Sequence, residues 1–392
     1  MATQRFRVGI AGLQPPRSWA ARAHIPALAS LPGHFEIAGV ANSSRASAEA
    51  AAAACGIARA FGSVAELVGS PDVDIVAVTV KVPHHLALVR AAIGAGKHVY
   101  CEWPLGNGLA QAEEMAALAR DKGVLAVVGT QARVAPEILH LRRLIADGFV
   151  GEVLSTTLSA RGRSWGASID NSSTAGYLLD RAHGATMLSI PMGHTLAALR
   201  DVLGDFREVS AVIANRRHHV LALDTGEMLP MTAPDQVLVS GLLASGAPAS
   251  IHFRGGEARG VPGLVWDING SDGDIRVTAA SGHTQMVQLQ LEGGQGSDRT
   301  LRPLEVPASD RAGGLPDAIP GNVARMYARM ANDLQKGTRT APDFDDAVEL
   351  HRLIAAIEEA AAQGARVFPQ AVNRALPAPD QGVHQGPATQ AR

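Results

Sequence analysis

The feature that most constrains this chain is the regular alternation of apolar, strand-like runs with helical stretches over roughly its first 130 residues. The strand-like runs cover 7–12, 35–41, 73–80, 97–101 and 124–128, and the helical stretches cover 18–31, 45–55, 84–95 and 109–122. Strands that alternate with helices form βαβ units, and such units build a parallel sheet with helices on its faces. The first part of the chain is therefore predicted to be a doubly wound parallel α/β sheet.

A different pattern follows residue 133. Helices are predicted over 136–147, within 182–203, over 323–335 and over 345–361, with Pro191 breaking or starting the second of them. Over 150–161 and from 206 to about 290, strand-like runs and turn signals such as Asn269-Gly270 are typical of a mostly antiparallel sheet. The tail, rich in Pro, Gln, Gly and Ala, is predicted to be disordered. We expect a first domain over 1–133, a second α/β domain over 134–370 and a disordered tail over 371–392.

The charge and cysteine content argue against several classes of protein. The formal net charge is −2 and no block of like charge occurs, which argues against a nucleic-acid surface or a polybasic membrane anchor. The two cysteines, Cys55 and Cys101, imply no disulfide framework and favour a reducing compartment. No signal-type apolar core follows the first residues, and no apolar run approaches the roughly 20 residues of a membrane span. We expect a soluble cytoplasmic protein.

The first strand ends at Gly12, directly before a helical stretch. Backbone N–H groups in such a turn, together with a helix N-terminus, can bind the pyrophosphate of a dinucleotide. Gln14 and Pro15 stand where the second glycine of the usual fingerprint is expected, so a plain strand–helix turn remains the alternative. At the end of the second strand, NAD sites usually carry an acidic residue that binds the ribose 2′-hydroxyl.

Here the second strand is followed by Asn42-Ser43-Ser44-Arg45 instead. Hydroxyl groups beside an arginine suit a 2′-phosphate, because the guanidinium can pair with it bidentately. We therefore expect NADP to be preferred, with NAD possible. The alternative is that Ser43 or Ser44 only caps the next helix.

Three motifs give the chain a family resemblance. They are the run 8–12 (Val-Gly-Ile-Ala-Gly), the run 96–102 (Gly-Lys-His-Val-Tyr-Cys-Glu) with Pro104, and Gly193-His194. With them the chain resembles the glucose-fructose oxidoreductase / inositol dehydrogenase (Gfo/Idh/MocA) family. The resemblance implies an N-terminal Rossmann domain, a C-terminal α/β domain whose open sheet often forms an oligomer interface, and hydride transfer between NAD(P) and a sugar or polyol carbon. It also implies a homodimer or homotetramer.

Within that family the chain is most similar to the branch of the fungal galactose-regulon repressor. The shared marks are Gly12-Leu13, Arg17-Ser18-Trp19 with His24, the run 80–83, Trp103 and the run 253–256. Members of that branch keep the fold and bind dinucleotide but regulate transcription. The resemblance thus implies a second hypothesis, a non-catalytic regulatory protein.

The family's catalytic positions are only partly retained. Trp103 stands where the family has its lysine, and Ile190 stands where it has an aspartate, while His194 remains. His194 is expected to carry the substrate proton because an unperturbed imidazole titrates near neutrality, although a lone histidine is often only a core residue. Lys81 or Asp180 could replace the missing lysine, and the alternative for Lys81 is a surface charge.

The motifs and the resemblance together define the candidate site. The predicted catalytic residues are His194, Lys81 and Asp180. The predicted dinucleotide-binding residues are Gly12, Leu13, Ser18, Trp19, Asn42, Ser43, Arg45, Val80, Lys81, His85, Glu102, Trp103 and Gln131. The predicted substrate-binding residues are Trp103, Arg133, Arg163, Trp165, Asn171, Asp180 and His194, although the loop carrying Arg163, Trp165 and Asn171 could equally be surface.

Two details complete the expected site. Trp103 could stack on a sugar face or on the nicotinamide, and Glu102 is expected to be a structural or cofactor-orienting carboxylate. The pairs His84-His85 and His218-His219 lack partners at zinc-site spacing, so no metal is predicted. The expected function is an NAD(P)-dependent oxidoreductase acting on a sugar, glycoside or related polyol or carbonyl compound.

Overall fold

The computed structural model describes residues 5–260, 262–311 and 315–369. The predicted disordered tail over 371–392 lies outside these ranges. Among the described residues, none of the helices combines the length and apolar character needed to span a bilayer.

The first part of the chain forms a six-stranded sheet with the order β3-β2-β1-β4-β5-β6, in which all pairs are parallel. Its strands are β1 (Phe6–Ala11), β2 (Phe35–Ala41), β3 (Ala60–Phe61), β4 (Ile75–Val78), β5 (His98–Glu102) and β6 (Ala126–Gly129). Alternate residues face opposite sides, so Ile75 and Ala77 join one apolar cluster while Val76 and Val78 join the other. Both faces are therefore buried, and the predicted parallel α/β sheet is confirmed.

The connecting helices of this sheet are α1 (Ile25–Ala29), α2 (Arg45–Cys55), α3 (Val64–Gly69), α4 (His85–Gly94) and α5 (Leu109–Lys122). The predicted bounds of α2 and α5 are confirmed, since Ala-rich helical periodicity marks both of them. The stretch predicted to be helical over 18–31 is helical from Ala20 to Ala29, as a π-helical segment, Ala20–His24, followed directly by the short α1. Pro26 lies in the first turn of α1, where its missing N–H costs no hydrogen bond.

The second part of the chain forms an eight-stranded sheet with the order β17-β16-β15-β14-β7-β13-β12-β9. Its strands are β7 (Val153–Gly162), β9 (Phe206–Ala214), β12 (Gln236–Leu243), β13 (Pro248–Gly255), β14 (Leu264–Gly270), β15 (Gly273–Ala279), β16 (Gln290–Gln295) and β17 (Arg302–Pro303). Only the β13–β7 pair is parallel, so the mostly antiparallel sheet is confirmed. Strands β8 (Ser168–Ile169), β10 (His219–Ala222) and β11 (Met228–Pro230) form a separate three-stranded sheet.

The remaining helices are α6 (Pro136–Ala146), α7 (Ser172–Ala175), α8 (Gly193–Leu203), α9 (Ala308–Arg311), α10 (Ala318–Lys336) and α11 (Phe344–Gln363). A π-helical segment, Leu188–Met192, contains Pro191 and leads directly into α8. The predicted start of α10 at residue 323 was wrong. The first turn of α10 contains Pro320 and Gly321, two residue types that usually lie outside helices. Proline is compatible with a first helical turn, where the backbone N–H has no intrahelical acceptor.

The two C-terminal helices return to the first sheet. Side chains of α10, including Tyr327 and Met330, belong to the apolar cluster that also contains Val8 and Ile10 of β1. The segment between α10 and α11 pairs with β6, where Val128 donates its N–H to the Pro342 carbonyl at 2.9 Å. Helix α11 packs against both α5 and β9. Residues 318–363 therefore link the two sheets, while the domain boundaries themselves stay a prediction.

Candidate functional site

The loop after β1 passes very close to the end of β4. Gly12 has a φ of +102°, and a Cβ there would lie 2.6 Å from the Val80 Cγ1. The Thr79 hydroxyl donates to the Gly12 carbonyl at 2.7 Å. Asn42 holds the next residue: Leu13 donates its N–H to Asn42 Oδ1 and accepts from Asn42 Nδ2, both at 2.8 Å. A residue with a side chain at position 12 would push this loop away from the strand ends.

Ser18 lies directly before the first helical turn that follows this loop. Its hydroxyl accepts from the N–H of Gln14 at 2.9 Å and of Ala21 at 3.4 Å. Next to it, Trp19 has a buried indole N–H with no hydrogen-bond partner among the described residues. The same is true of two polar atoms that follow β6, Thr130 Oγ1 and Gln131 Oε1.

The end of β2 carries the residues predicted to select the nucleotide. Ser44 caps α2 by accepting from the Ser47 N–H at 3.2 Å, and the choice between NADP and NAD stays a prediction. Arg45 is exposed, and its guanidinium lies 3.3 Å from Glu66 and 3.9 Å from Glu49. Ser43 is also exposed. Any ligand phosphate at this edge would compete with the two carboxylates for Arg45.

Glu102, at the end of β5, is held by a buried polar network. His24 Nε2 lies 2.8 Å from Glu102 Oε1, and Gln131 Nε2 donates to both carboxylate oxygens at 2.8 Å. A carboxylate only accepts, so Nε2 of His24 donates to Glu102, and Nδ1 of the same ring lies 2.8 Å from the Tyr327 hydroxyl. Burial, together with the Glu102 charge, raises the pKa of Tyr327 and of Tyr100 well above the usual value. Both phenols therefore stay protonated.

Trp103 fills the space between this network and the start of α8. Its indole N–H donates to the Ser189 carbonyl at 2.6 Å, and its ring centroid lies 4.7 Å from that of His351. A Cβ at Gly193 would lie 2.7 Å from Trp103 Nε1, so glycine there makes room for the indole. The Trp103-Pro104 peptide bond is cis, and Trp103 is 5% exposed. Because its one donor is already used, Trp103 cannot polarise a substrate oxygen as a lysine would.

His194, in the first turn of α8, differs from the sequence expectation. It is 3% exposed, and its Nδ1 has no partner among the described residues. Burial, with a smaller effect from His283, lowers the pKa of His194 to about 3. Ile190 provides no carboxylate that would oppose this shift. The expectation of a near-neutral pKa was wrong, and the imidazole is uncharged at physiological pH.

Two other predicted residues tie loops together. His85 is buried, with its ring nitrogens 3.0 Å from the carbonyl oxygens of Pro104 and Val80, and burial lowers its pKa. It therefore joins the loop after β4 to the loop after β5. Lys81 is exposed and reaches the second part of the chain: Nζ donates to the Ser173 carbonyl at 3.3 Å and lies 4.8 Å from the Tyr177 ring centroid.

Arg133 is committed to an ion-pair network rather than to an open cleft. It pairs bidentately with Asp201 on α8 at 2.7 and 2.9 Å, and it lies 3.2 Å from Asp346 on α11. Arg163 is exposed and pairs with Asp170 and Glu257 at 3.1 and 2.9 Å. These contacts occupy the guanidinium groups that the sequence suggested for the substrate.

The other residues predicted to bind substrate have local contacts. Trp165 is buried, and its indole N–H donates to the Leu178 carbonyl at 3.0 Å. Asn171 caps α7. Asp180 accepts from the Ala182 N–H and the Thr232 hydroxyl, and these hydrogen bonds lower its pKa. Their roles toward a substrate stay predictions.

The structure thus brings Glu102, Trp103 and Gln131 together with His24, Tyr327 and His351, three residues to which the sequence analysis assigned no role. Tyr327 lies 303 positions after His24, and no local signal marks such a contact. Within the described ranges, no group of three or more His, Cys, Asp or Glu side chains is arranged to hold a metal ion.

Comparison with known proteins shows the family to which the chain belongs. The family described as "Oxidoreductase family, NAD-binding Rossmann fold" (GFO_IDH_MocA) matches residues 6–130, and "Gal80p, C-terminal domain" matches residues 136–279. The dehydrogenase aclE of Aspergillus oryzae is 32% identical over 289 residues, which cover 71% of this chain and 78% of aclE. The chain belongs to the GFO/IDH/MocA oxidoreductase family.

Similar proteins within and around the GFO/IDH/MocA family differ in role. The galactose/lactose metabolism regulatory protein GAL80 of Kluyveromyces lactis is 29% identical over 308 residues, covering 74% of this chain and 67% of GAL80. The solved structure of the K. lactis regulator Gal80p has a TM-score of 0.83 at 26% identity, covering 94% of this chain and 95% of that one.

A levoglucosan dehydrogenase complex with NADH and levoglucosan has a TM-score of 0.80 at 21% identity and covers 94% of this chain and all of that one (100%). At this identity the likeness shows the fold alone. A regulator and a dehydrogenase therefore share this architecture.

The strand-end residues fit the NAD-binding Rossmann fold of the GFO/IDH/MocA family. Because Gly12 has no side chain, its backbone can lie close to the strand ends. The unpartnered buried atoms Trp19 Nε1, Thr130 Oγ1 and Gln131 Oε1 follow β1 and β6 and can bind a polar ligand there. A dinucleotide in this position would supply the hydride donor or acceptor.

Proposed function

We propose that this chain is an NAD(P)-dependent oxidoreductase that transfers a hydride between the nucleotide and a carbinol or carbonyl carbon of a sugar, glycoside or related polyol. The observation that carries the proposal is His194, a buried neutral imidazole whose Nδ1 has no partner in the described part of the chain, directly after the glycine that contacts Trp103. A substrate oxygen is the kind of group that completes this hydrogen bond.

The proton has to be accounted for as well as the hydride. Oxidation of an alcohol sends the hydride to the nucleotide and releases the hydroxyl proton. With a pKa of about 3, His194 cannot retain that proton at neutral pH. In this proposal His194 orients the hydroxyl through a hydrogen bond and the proton passes on to solvent, with Lys81 and Asp180 kept as candidate acidic or basic groups.

A second function is favoured by the same loop. Trp103 has replaced the family's lysine, and its donor is bound to the Ser189 carbonyl. Loss of that cation, together with an uncharged His194, is what a dinucleotide-binding regulatory protein without turnover would show. The family also includes a regulator with this architecture, so this is the competing proposal.

One experiment separates the two proposals. Binding of NAD and NADP is measured by isothermal titration calorimetry, and turnover is followed at 340 nm on a panel of hexoses, anhydro-sugars and polyols. The enzyme proposal requires turnover that His194→Ala removes and His219→Ala, an exposed histidine in the same part of the chain, retains. Tight nucleotide binding without turnover on any panel member supports the regulator instead.

We also propose that NADP is preferred over NAD. The partners of Arg45 within the described ranges, Glu49 and Glu66, are exposed, so a 2′-phosphate can compete for its guanidinium. Arg45→Ala should weaken NADP binding about tenfold while leaving NAD binding within about twofold. The matched control is Arg90→Ala, an exposed arginine paired with Glu114 on the neighbouring helix. Equal effects of Arg45→Ala on both nucleotides would sink the preference.

We infer a homodimer or homotetramer formed through the open face of the eight-stranded sheet. That face carries small polar side chains, such as Ser210 and Ser240, beside the exposed and directly paired Val212 and Leu238. Sedimentation equilibrium tests the assembly, and a monomer at micromolar concentration contradicts it. A cytoplasmic, reducing setting is consistent with the two free cysteines.

A further inference from the structure

Two arginines lie directly opposite each other on the open face of the eight-stranded sheet. Arg161 of β7 and Arg254 of β13 are register partners in the parallel pair of these strands. Ile251 and Phe253 of β13 are buried, and the alternation along a strand therefore places Arg254 on the other face. Neighbouring strands lie about 4.8 Å apart, so the pairing holds two like charges close together, an arrangement that destabilises a sheet.

Two further basic side chains add to this charge. His252 lies on the same face of β13 as Arg254, and burial together with the charges of Arg254 and Arg161 lowers its pKa. Burial and the charges of Arg254 and Arg259 likewise lower the pKa of Arg161. These side chains therefore act on one another as one group, which we call the arginine cluster: Arg161, His252, Arg254 and Arg259.

Carboxylates do not neutralise the arginine cluster. Among the ion pairs of the described residues, none involves its three arginines. Glu257, which follows β13, pairs with Arg163 at 2.9 Å. Asp267 lies on the same face of the sheet but pairs with Arg276 at 2.6 Å. It is the register partner of Thr157, about 13 Å along β7 from the arginine of that strand. The cluster therefore keeps its positive charge.

A groove on the open face gives a small ligand access to this charge. The groove has a volume of about 370 Å³, and its lining includes Arg254, His252 and Ser159. Arg254 Nη2 donates to the Ser159 hydroxyl at 3.4 Å, and Ser159 is the register partner of His252. Arg254 Nε is buried and has no hydrogen-bond partner among the described residues. Buried donors of native proteins are nearly always hydrogen-bonded, so this nitrogen indicates a missing acceptor at the groove.

The chemistry of the cluster selects the kind of acceptor. A guanidinium presents N–H donors in a planar fork that matches two oxygens of a phosphate or sulfate group. A serine hydroxyl such as that of Ser159 can donate to a further oxygen. An anion also opposes the repulsion between Arg161 and Arg254, which a neutral ligand does not. A tetrahedral oxyanion meets all of these conditions.

We propose that the arginine cluster binds a tetrahedral oxyanion, either free phosphate or the phosphoryl group of an organic ester, with Arg161 and Arg254 as its main ligands. The site lies on the open face of the second sheet, away from the strand ends of the first sheet, and it does not depend on hydride transfer. Leu238, on the surface through which we infer assembly, is the register partner of His252. The bound oxyanion therefore lies beside that surface.

The test measures oxyanion binding to the full chain. The probes are inorganic phosphate and phenyl phosphate, with sodium chloride at matched ionic strength to account for screening. Binding is followed by isothermal titration calorimetry and by the shift in melting temperature. The variants are Arg161→Gln, Arg161→Lys and Arg254→Gln. The matched control is Arg276→Gln, which removes an arginine of the same sheet that is already paired with Asp267.

The expected result is that the unmodified chain binds phosphate and melts at a higher temperature in its presence. Arg161→Gln and Arg254→Gln should each weaken this binding about tenfold, and Arg161→Lys, which keeps the charge but not the fork, about threefold. Arg276→Gln should change it by less than about twofold. Without phosphate, Arg161→Gln should melt no lower than the unmodified chain, because it removes a repulsion, and this melt also shows that the variant is folded.

The two probes distinguish the source of the oxyanion. Tighter binding of phenyl phosphate than of inorganic phosphate identifies an organic ester as the ligand, and the reverse identifies free phosphate.

Three results overturn the site. One is that neither probe has an effect beyond that of sodium chloride. Another is that Arg276→Gln weakens binding as much as Arg161→Gln does, which indicates only general attraction to a basic surface. The third is that neither probe binds while Arg161→Gln changes the sedimentation of an assembled chain, which means that carboxylates of a second copy occupy the cluster.

Discussion

At the scale of single residues, burial decides the chemistry of the histidines. His194 and His351 are buried and His283 is partly buried, and burial lowers their pKa values to about 3, 4 and 4 for His194, His283 and His351. These folded-state values lie below the unfolded value of 6.5. The unfolded chain therefore binds more protons than the folded chain between about pH 6.5 and 4, and stability must fall as the pH falls through this window.

The prediction for these histidines concerns how steeply the free energy of unfolding depends on pH. Between pH 6 and 4.5 each of the three should contribute about 1 kcal/mol of lost stability per pH unit. His351→Leu removes one of them without touching His194, so its stability should depend less steeply on pH by about that amount. Urea unfolding at several pH values measures the slope, with His219→Ala as the exposed control. A slope unchanged by His351→Leu would show that His351 is charged in the folded state.

Residue-scale contacts also explain the family's missing lysine. Trp103 cannot act in place of the catalytic lysine, because its indole is in contact with the Ser189 carbonyl, the His351 ring and Gly193. Glu102 has both carboxylate oxygens occupied by His24 and Gln131. The expectation that Glu102 is structural or cofactor-orienting agrees with these contacts, and its action on a cofactor stays a prediction.

At the scale of elements, the turn from β1 into the first helical segment carries the strongest geometric constraint. Gly12 has a positive φ and its missing Cβ makes room for Val80, whereas Gly33 lies in open space without positive φ. Gly12→Ala should therefore displace the loop that faces the dinucleotide, and Gly33→Ala should not.

We expect Gly12→Ala to weaken NAD and NADP binding by about tenfold or more and to cost about 1–2 kcal/mol of stability. Calorimetric titration with both nucleotides and urea unfolding measure the two effects. Gly33→Ala serves as the matched control, and its nucleotide binding should equal that of the unmodified chain. If Gly12→Ala bound nucleotide normally, the site would not include this turn.

At the scale of the whole molecule, a partly buried arginine connects elements that pack against the two sheets. Arg133 follows β6 and pairs with Asp201 of α8 and Asp346 of α11. Removing one partner of a buried ion pair leaves the other partly desolvated and unpaired, which typically costs several kcal/mol. The relative position of the first sheet and α8, which carries His194, depends on this contact.

Arg133→Ala should destabilise the chain by about 3 kcal/mol. A double-mutant cycle with Asp201→Ala should give a coupling energy above about 1 kcal/mol, measured by urea unfolding. The exposed pair Arg276 and Asp267 is the control, for which the cycle should give less than about 1 kcal/mol. A coupling energy no larger than that of the control would contradict an interdomain role for Arg133.

The sequence by itself determined the two kinds of sheet and the family. Local periodicity carries this information: an apolar run such as Ile75–Val78 is buried on both faces, and an Ala-rich stretch such as Arg45–Cys55 forms a helix wherever it packs. The Ser44 cap was also among the alternatives read from the chain. These properties depend on neighbours within a few positions, so they can be read along the sequence.

Only the tertiary structure decided the environment of the site. The hydrogen bond between Tyr327 and His24 spans 303 positions. Helix α10, which packs on the first sheet, follows all strands of the second sheet in the sequence. His194 is neutral because it is buried and because His283 acts on it, and no local sequence pattern reports either fact. Solvation and long-range contacts depend on how elements pack, and for that reason the chemistry of this site could not be predicted from residue spacing.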